Sequence, residues 1–581
     1  METRETEPGL SLQLKPELFI GLVGAVGSDL GKVTQLLTQS LKAVGYSTAR
    51  ITHASGEDAP TAIRLAKLLR QIPKYKNLPT TPVDDYIREH MTAGDDFRKI
   101  TGRDDALVLM AIEQILEERE DAEKQGTLNN RIIPGRAYIL QSLKNPKELD
   151  TLREVYGEGF ILLAAYSQRD ARRDYLARRI SESRNDPAAD HYFSQAEELI
   201  ERDQEEPGNP HGQNVRGIFH QADVFVDTTS MESLRASVSR FVELLFGNTF
   251  HTPSREEYGM FHAQAAALRS AEPGRQVGAA VATKEGDIVA VGVNEVPRAG
   301  GGLYWSGDNP DGREFKFVQQ LEGSYTESNH KQIHSLITDT IKHLRTAGWL
   351  TASKVEMPTE TLVDLVVSGG NPLIEIPAEI LTRVFDYLKR AQWLSPEKTA
   401  LELSDLVHQA VSGKQPAIPK SAQIRNLIEF GRAVHAEMAA LMDAARRGVA
   451  VEGCTMYVTT FPCHLCARHI VAAGITRVVY IEPYAKSRTA NLYLDSIAVE
   501  QEADGKICFT PFVGVAPRQF MKLFSMNHRM SKGLITLFDA TKARLRYSGD
   551  LRVYLSNEDD LAATFRNILV HEGLKKGDNP K

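Results

Sequence analysis

Apolar positions along the chain alternate between short unbroken runs and helix-spaced stripes. Leu18–Val23 is apolar throughout and enters a glycine-rich turn, the pattern of a buried strand. From Val33 to Val44, residues Leu36, Leu37, Leu41 and Val44 fall at helical spacing. Further apolar runs at 136–143, 160–166 and 222–227 are separated by helical patterns, as at 147–155 and 170–180. Strands alternating with helices predict a parallel sheet in a doubly wound domain of about 245 residues. Thr252-Pro253-Ser254 then marks a boundary, with Ser254 suited to cap a helix beginning at Arg255.

A second α/β unit follows. A helix over 256–269 leads to strands at 277–283 and 287–294, joined by a turn at Glu285-Gly286. The pattern then departs from Arg298 to about Ile428, opening with Gly300-Gly301-Gly302 and becoming mainly helical (329–344, 377–388, 395–411). Alternation resumes with a helix at 436–447, a strand at 454–460, a helix at 463–473 and a strand at 477–481, then a strand at 507–512 and a short helix at 518–524. The expected organisation is a polar leader over 1–17, a first domain over 18–250, a second over 251–571 with an insertion at about 299–428, and a flexible tail over 572–581.

Composition narrows the functional classes. At 42% hydrophobic and 25% charged, the 581 residues have the make-up of a soluble globular protein of several domains. A formal charge of −7 argues against a uniformly basic nucleic-acid coat. No run of 18 apolar residues spans a bilayer, so no membrane partner is expected, and the start METRETEPGL lacks a secretory layout. Four cysteines in this length do not make a disulfide framework. A cytoplasmic location is the simplest expectation.

Two of those cysteines fall into a chemical pattern. His435-Ala436-Glu437 is followed, 28 positions after the histidine, by Cys463 of Pro462-Cys463-His464-Leu465-Cys466. This is the H-x-E…P-C-x-x-C arrangement of zinc deaminases. A C-x-x-C at a helix start brings two sulfurs to one ion, and the positive helix end favours thiolates. Pro462 suits the entry, where no amide hydrogen is needed. His435 supplies a third ligand, and three protein ligands leave a fourth position for water, the mark of a catalytic rather than a structural zinc. Glu437, two residues on, serves as the proton carrier. A structural zinc would call for a fourth Cys or His; His464 is expected to point away, and Cys454 to be core.

Around these ligands the sequence resembles the deoxycytidylate deaminases of the cytidine deaminase superfamily. Gln276-Val277-Gly278-Ala279 and Gly292-Val293-Asn294-Glu295-Val296-Pro297 look like that family's first hairpin, and the resemblance implies that Asn294 contacts the sugar. Glu295 stands where the family usually has Gly, so the family's allosteric nucleotide site at that turn is not carried over. The whole chain is more closely similar to bacterial two-domain anti-phage dCTP/dCMP deaminases. The similarity runs through the turn at Gly24–Gly31, the stretch Gly300–Asp308, the helical insertion, and Glu482-Pro483-Tyr484-Ala485-Lys486-Ser487. It implies an N-terminal P-loop nucleotide-kinase-like parallel sheet and a C-terminal cytidine-deaminase-like three-layer α/β/α domain. It also implies deamination of deoxycytidine nucleotides, dCTP or dCMP, that drains the pool a phage polymerase needs. A homo-oligomer and an inhibitory small RNA or protein are the implied partners. Ala436, Tyr484, Arg298, Lys486 and Ser487 are the candidate substrate contacts, the last three for phosphate.

The turn Gly24-Ala25-Val26-Gly27-Ser28-Asp29-Leu30-Gly31-Lys32-Val33-Thr34 follows a strand and precedes a helix, the context for amides that cradle phosphate. Gly24, Gly27, Ser28, Gly31 and Lys32 are the candidate contacts to a regulatory nucleotide. The Walker pattern requires Gly at 26 and a hydroxyl at 33, and both are Val, so phosphoryl transfer is not expected. Two other functions compete with a free-nucleotide deaminase. One is a polynucleotide cytidine deaminase, against which the acidic charge and the 7% aromatic content speak. The other is a nucleotide-sensing switch whose zinc unit is a scaffold.

Overall fold

The computed structural model describes residues 15–48, 62–206, 209–322, 328–359, 361, 377–412, 417–418, 431–484, 487–501, 503–526, 529–531, 534–546 and 551–575. Contacts divide the chain into two compact units. The first comprises 1–265, 279–291 and 450–581, and the second 266–278 and 292–449. Among the described residues no helix is long and apolar enough to cross a membrane.

The first unit is mixed α/β, and among its described residues are two large sheets and a two-stranded antiparallel ribbon (Met530–Ser531 with Leu534–Ile535). One is built from β1 (Leu18–Gly24), β2 (Ser47–Thr48), β3 (Ile63–Arg64), β4 (Arg136–Gln141), β5 (Phe160–Tyr166) and β6 (Val224–Asp227), and its strands pair in parallel. β1 lies at its centre between β4 and β5 and is buried along its whole length. An unbroken apolar run is what a parallel strand covered on both faces requires. Its alternate side chains feed two cores. Phe19 and Val23 join Val108 and Ile112 of the helix α3 (Ala106–Lys124), while Leu18, Ile20 and Leu22 join Val33 and Leu37 of α1 (Leu30–Ala43). Gly21 is required by space, since a Cβ there would lie 2.7 Å from Leu143 and from Phe160.

Further helices of this region include α2 (Val83–Thr101), α4 (Pro146–Tyr156), α5 (Arg169–Ser183) and α6 (Phe193–Gln204). The α4 start carries a full capping box, with Asn145 and Glu148 satisfying each other's backbone amides. α7 (Met231–Leu245) closes the core on the α1 side through Val238 and Phe241.

The other sheet runs in the order β11-β12-β10-β9-β7-β8. These are β7 (Gly278–Ala282), β8 (Ile288–Val293), β9 (Thr455–Thr460), β10 (Arg477–Glu482), β11 (Ile497–Val499) and β12 (Ile507–Pro511). Strands β9 to β12 are parallel neighbours, and β7 runs antiparallel to β9. As the sequence predicts, Ser254 caps α8 (Arg255–Ala267), accepting from the Glu257 amide at 3.1 Å while Glu257 accepts from the Ser254 amide at 2.7 Å. Gly259 of α8 has no room for a side chain, because a Cβ would lie 2.4 Å from the Tyr457 ring.

Two features of this unit depart from a division at residue 250. Residues Gly514–Val515 form β13, which pairs antiparallel with β6 of the first sheet. The final helix α11 (Leu551–His571) packs on α3 and α4, although residues 525–571 show no predicted element. The physical reason is a buried ion cluster. Arg119 of α3 sits between Glu17 (2.7 Å) and Glu558 of α11, and the Tyr554 hydroxyl donates to Glu17 at 3.0 Å. Burial disfavours the Arg119 charge, but Glu558 and Glu17 outweigh it and hold the guanidinium well above its ordinary range. Glu17, from the expected polar leader, is therefore 3% exposed. Residues 1–14 of that leader and 576–581 of the expected tail lie outside the described residues.

The second unit contains the insertion. Its helices include Ser328–Thr346, Pro377–Arg390 and Leu403–Ser412, around a core of Ile341, Leu344, Phe385, Leu388, Trp393 and Leu406. It also carries α9 (Ala436–Arg447).

Candidate metal centre

Two helix starts carry the candidate ligands. His435 is the N-cap of α9 (φ −66°, ψ 152°), and Cys463 is the N-cap of α10 (His464–Ala472; φ −68°, ψ 162°). Cys466 lies one turn further into α10 and is 1% exposed. The ligand atoms of His435, Cys463 and Cys466 lie within 4.8 Å of one another. Among the described residues this is the one cluster of three or more His, Cys, Asp or Glu side chains so placed. The set fits zinc: bonds of about 2.3 Å to sulfur and 2.0 Å to nitrogen put tetrahedral ligands roughly 3.5–3.8 Å apart. Three donors leave one position for a reactant. Both N-terminal helix ends favour anionic donors beside them.

Close packing explains how α9 is seated. Gly292 of β8 lies against the helix backbone, where a Cβ would fall 2.2 Å from the Ala436 carbonyl and the Ala440 amide. No other residue fits there. Glu437, in the first turn of α9, is 4% exposed, and Ala436 is fully buried. A carboxylate buried two residues after a metal ligand is costly unless it has partners or a task.

The C-x-x-C segment is held from the other side of the loop after β10. The Ser487 hydroxyl donates to the Pro462 carbonyl at 2.9 Å, and the Thr489 hydroxyl reaches the same carbonyl at 3.2 Å. The Tyr493 hydroxyl donates to the His464 carbonyl at 3.2 Å. Ser487 thus meets the metal loop through its backbone. Thr489 and Tyr493 escaped sequence reasoning, because hydroxyl-to-carbonyl contacts across 27 and 29 residues leave no local pattern. The remaining cysteines stand apart from the cluster. Cys454 is buried, which pushes its thiol up, and the Cys508 thiol meets the Gln501 carbonyl.

The other expected contacts are placed as follows. Asn294 is 8% exposed; its Oδ1 accepts from the Val277 amide at 2.7 Å and its Nδ2 donates to the Arg275 carbonyl at 2.8 Å. It locks the entry to β7. Glu295 is buried at 1% exposure and accepts from the Ala271 and Val296 amides, so the residue that departs from the family pattern closes a turn. Arg298 is half-exposed and faces Asp308 at 3.4 Å. Tyr484 is half-buried, with its carbonyl accepting from the Ser487 amide, and Lys486 lies outside the described residues.

At the glycine-rich turn, Gly24, Gly27, Ser28 and Gly31 line a cavity together with Lys144 and Asp203. Lys32 is not part of that lining. Asp29, as N-cap of α1, accepts from the Lys32 amide at 3.1 Å and holds the Lys32 ammonium at 3.0 Å.

Comparison with known proteins falls on the metal centre. Residues 400–482 match the zinc-binding region of cytidine and deoxycytidylate deaminases, 14% of the chain by length. The deoxycytidylate deaminase of Enterobacteria phage T2 is 49% identical over 55 residues, 10% of this chain and 29% of that protein. The human deoxycytidylate deaminase is 45% identical over 47 residues, covering 8% of this chain and 25% of that protein. This chain therefore matches less than a third of the length of these relatives. A solved dCMP deaminase of cyanophage S-TIM5 aligns over 45% of this chain and 99% of its own at 15% identity, with a TM-score of 0.18. The C-terminal part of this chain thus carries a zinc-binding region of the cytidine and deoxycytidylate deaminase type, with His435, Glu437, Cys463 and Cys466 all inside the matched segment.

Proposed function

We propose that the protein hydrolytically deaminates deoxycytidine nucleotides, converting dCTP or dCMP and water to dUTP or dUMP and ammonia. The observation that carries this reading is the three-donor cluster with a buried carboxylate two residues from its histidine. His435, Cys463 and Cys466 would hold zinc, which when bound supplies a Lewis acid that makes water nucleophilic at neutral pH. Glu437 is the group that moves protons. It accepts one from the attacking water, delivers it to the ring nitrogen N3, and then assists departure of the C4 amine as ammonia. Ser487, Thr489 and Tyr493 fix the ligand loop, so little reorganisation is required at each turnover.

The name of the phage T2 relative supports a deoxycytidine nucleotide as substrate. The resemblance of the whole layout to two-domain defence enzymes supports depletion of dCTP as the biological purpose, an oligomeric assembly and an inhibitor that restrains the enzyme. Zinc-loaded protein is incubated with dCTP, dCMP and a cytosine-containing single-stranded oligonucleotide, and ammonia release is followed. Release from a free nucleotide is the expected result, with Glu437→Gln retaining zinc and losing about 10²- to 10⁴-fold in rate. Release from the oligonucleotide alone would replace this reading with polynucleotide editing. Phage protection that survives Glu437→Gln would assign the protein to nucleotide sensing.

A further inference from the structure

The turn between β1 and α1 already holds an anion, and that anion belongs to the protein. Amides at a turn entering a helix N-terminus form an anion cradle. Here the Val26 amide donates to Asp203 Oδ2 at 2.6 Å. Asp203 lies near the end of α6, 177 positions away, and is fully buried. Its other oxygen binds Lys144 Nζ at 2.6 Å, and Lys144 also reaches the Gly24 carbonyl at 3.3 Å. One amide and one ammonium around a carboxylate are the partners that a phosphate oxygen takes. With Lys32 turned to Asp29, Lys144 is the cation of this cradle.

Beside it lies a cavity of about 480 Å³, within the range of small-molecule sites. Tyr86, His90, Met91 and Tyr175 line it, with Arg64 and Arg179 at its border with solvent. The Tyr86 and His90 rings lie 4.1 Å apart. His90 is 5% exposed, and its Nδ1 meets the Tyr86 carbonyl at 2.7 Å, which makes that nitrogen the donor. Nε2 is then a buried acceptor with no partner among the described residues. Leaving such an atom unsatisfied costs about 1–3 kcal/mol, so it calls for a donor from outside the chain. The Ser28 hydroxyl, in the turn itself, is likewise buried without a partner among the described residues.

We propose that this cavity binds a nucleoside phosphate, whose phosphate displaces the Asp203 carboxylate from Val26 and Lys144 and whose base or sugar donates a hydrogen bond to His90 Nε2. The Val26 amide has a single hydrogen, which Asp203 takes at 2.6 Å, so a phosphate on that amide and the Asp203 contact exclude each other. Asp203, itself fully buried, keeps the half-buried Lys144 paired when the ligand is absent. The ligand is bound and not phosphorylated, because Val33 offers no hydroxyl to a magnesium ion.

Calorimetric titration of the full chain with inorganic phosphate, AMP, GMP and dTMP tests this. None of these carries cytosine, and dependence on Asp203 and His90 separates the cavity from the metal centre. At least one nucleotide is expected to bind wild type more tightly than phosphate does. Asp203→Ala should bind both that nucleotide and phosphate about tenfold more tightly. His90→Leu should weaken the nucleotide about tenfold and leave phosphate unchanged. If Asp203→Ala does not fold, Asp203→Asn, which keeps the shape and removes the charge, carries the same expectation. Equal affinities in wild type and the Asp203 variants, a nucleotide indifferent to His90, or no binding by any of these proteins would each overturn the proposal.

Discussion

The turn after β1 and the turn after β9 are built alike: each leaves a parallel strand and enters a helix through an extended or capping residue. Their contents are opposite. After β1, the Val26 amide of the glycine-rich turn donates to a carboxylate from α6. After β9, Pro462 removes an amide and Cys463 and Cys466 bring sulfur toward His435. A helix N-terminus favours negative charge in both places. Side chains decide whether that charge is an internal carboxylate that a phosphate can replace, or a pair of thiolates that captures a cation. The support differs as well. The metal turn is clamped by hydroxyls of Ser487, Thr489 and Tyr493, whereas the glycine turn is pressed by α5, since a Cβ on Gly27 would lie 2.8 Å from the Arg172 carbonyl.

Removing a ligand should separate the two turns most sharply. Cys466→Ala is expected to lose nearly all bound zinc and all turnover, while nucleotide titration at the glycine turn stays as in wild type; metal analysis beside calorimetry checks both halves. Zinc retained at one ion per chain would show that the cluster is not the ligand set. A smaller effect is expected from Gly27→Ala. With φ +89° and the Arg172 carbonyl in the way, the substitution should cost about 1–3 kcal/mol in urea unfolding, with zinc content unchanged.

The smallest effect is a pH dependence. Burial, aided by the Arg70 charge, lowers His90 below its ordinary value of 6.5. A lowered folded-state value means stability that is fully present above pH 6.5 and lost as pH falls below it, because the unfolded chain takes up the proton first. Wild type should therefore lose stability relative to His90→Gln between pH 7 and pH 5, and track it above pH 7. A constant difference down to pH 5 would mean that His90 titrates alike in the folded and unfolded chains.

Strands β1, β4, β5 and β6 of the first sheet were readable because a buried parallel strand must be apolar on both faces, as β1 and β5 are, whereas the two-residue strands β2, β3 and β13 carry too little pattern to be read. The members of the three-donor cluster were readable from motifs: Cys463 and Cys466 from their spacing within one helix turn, and His435 from the His-x-Glu triplet 28 positions before Cys463. Ser254 was legible as a cap from its place at a boundary just ahead of a helix beginning at Arg255, and its hydroxyl accepts from the Glu257 amide. The return of α11 to α3 was not, since it depends on Glu558 meeting Arg119 across 439 positions. Nor was the engagement of Asn294 by the Val277 and Arg275 backbone, which a turn asparagine does not announce.

Local periodicity and ligand spacing are properties of neighbouring residues, so the sequence by itself determined the strand–helix alternation and the donor set His435, Cys463 and Cys466. The partner of each turn was decided by tertiary structure alone. Asp203 reaches Val26, and Thr489 reaches Pro462, only after the chain has closed loops of 177 and 27 residues. Charge and hydrogen bonding act across space, over a few ångströms, and are indifferent to distance along the chain.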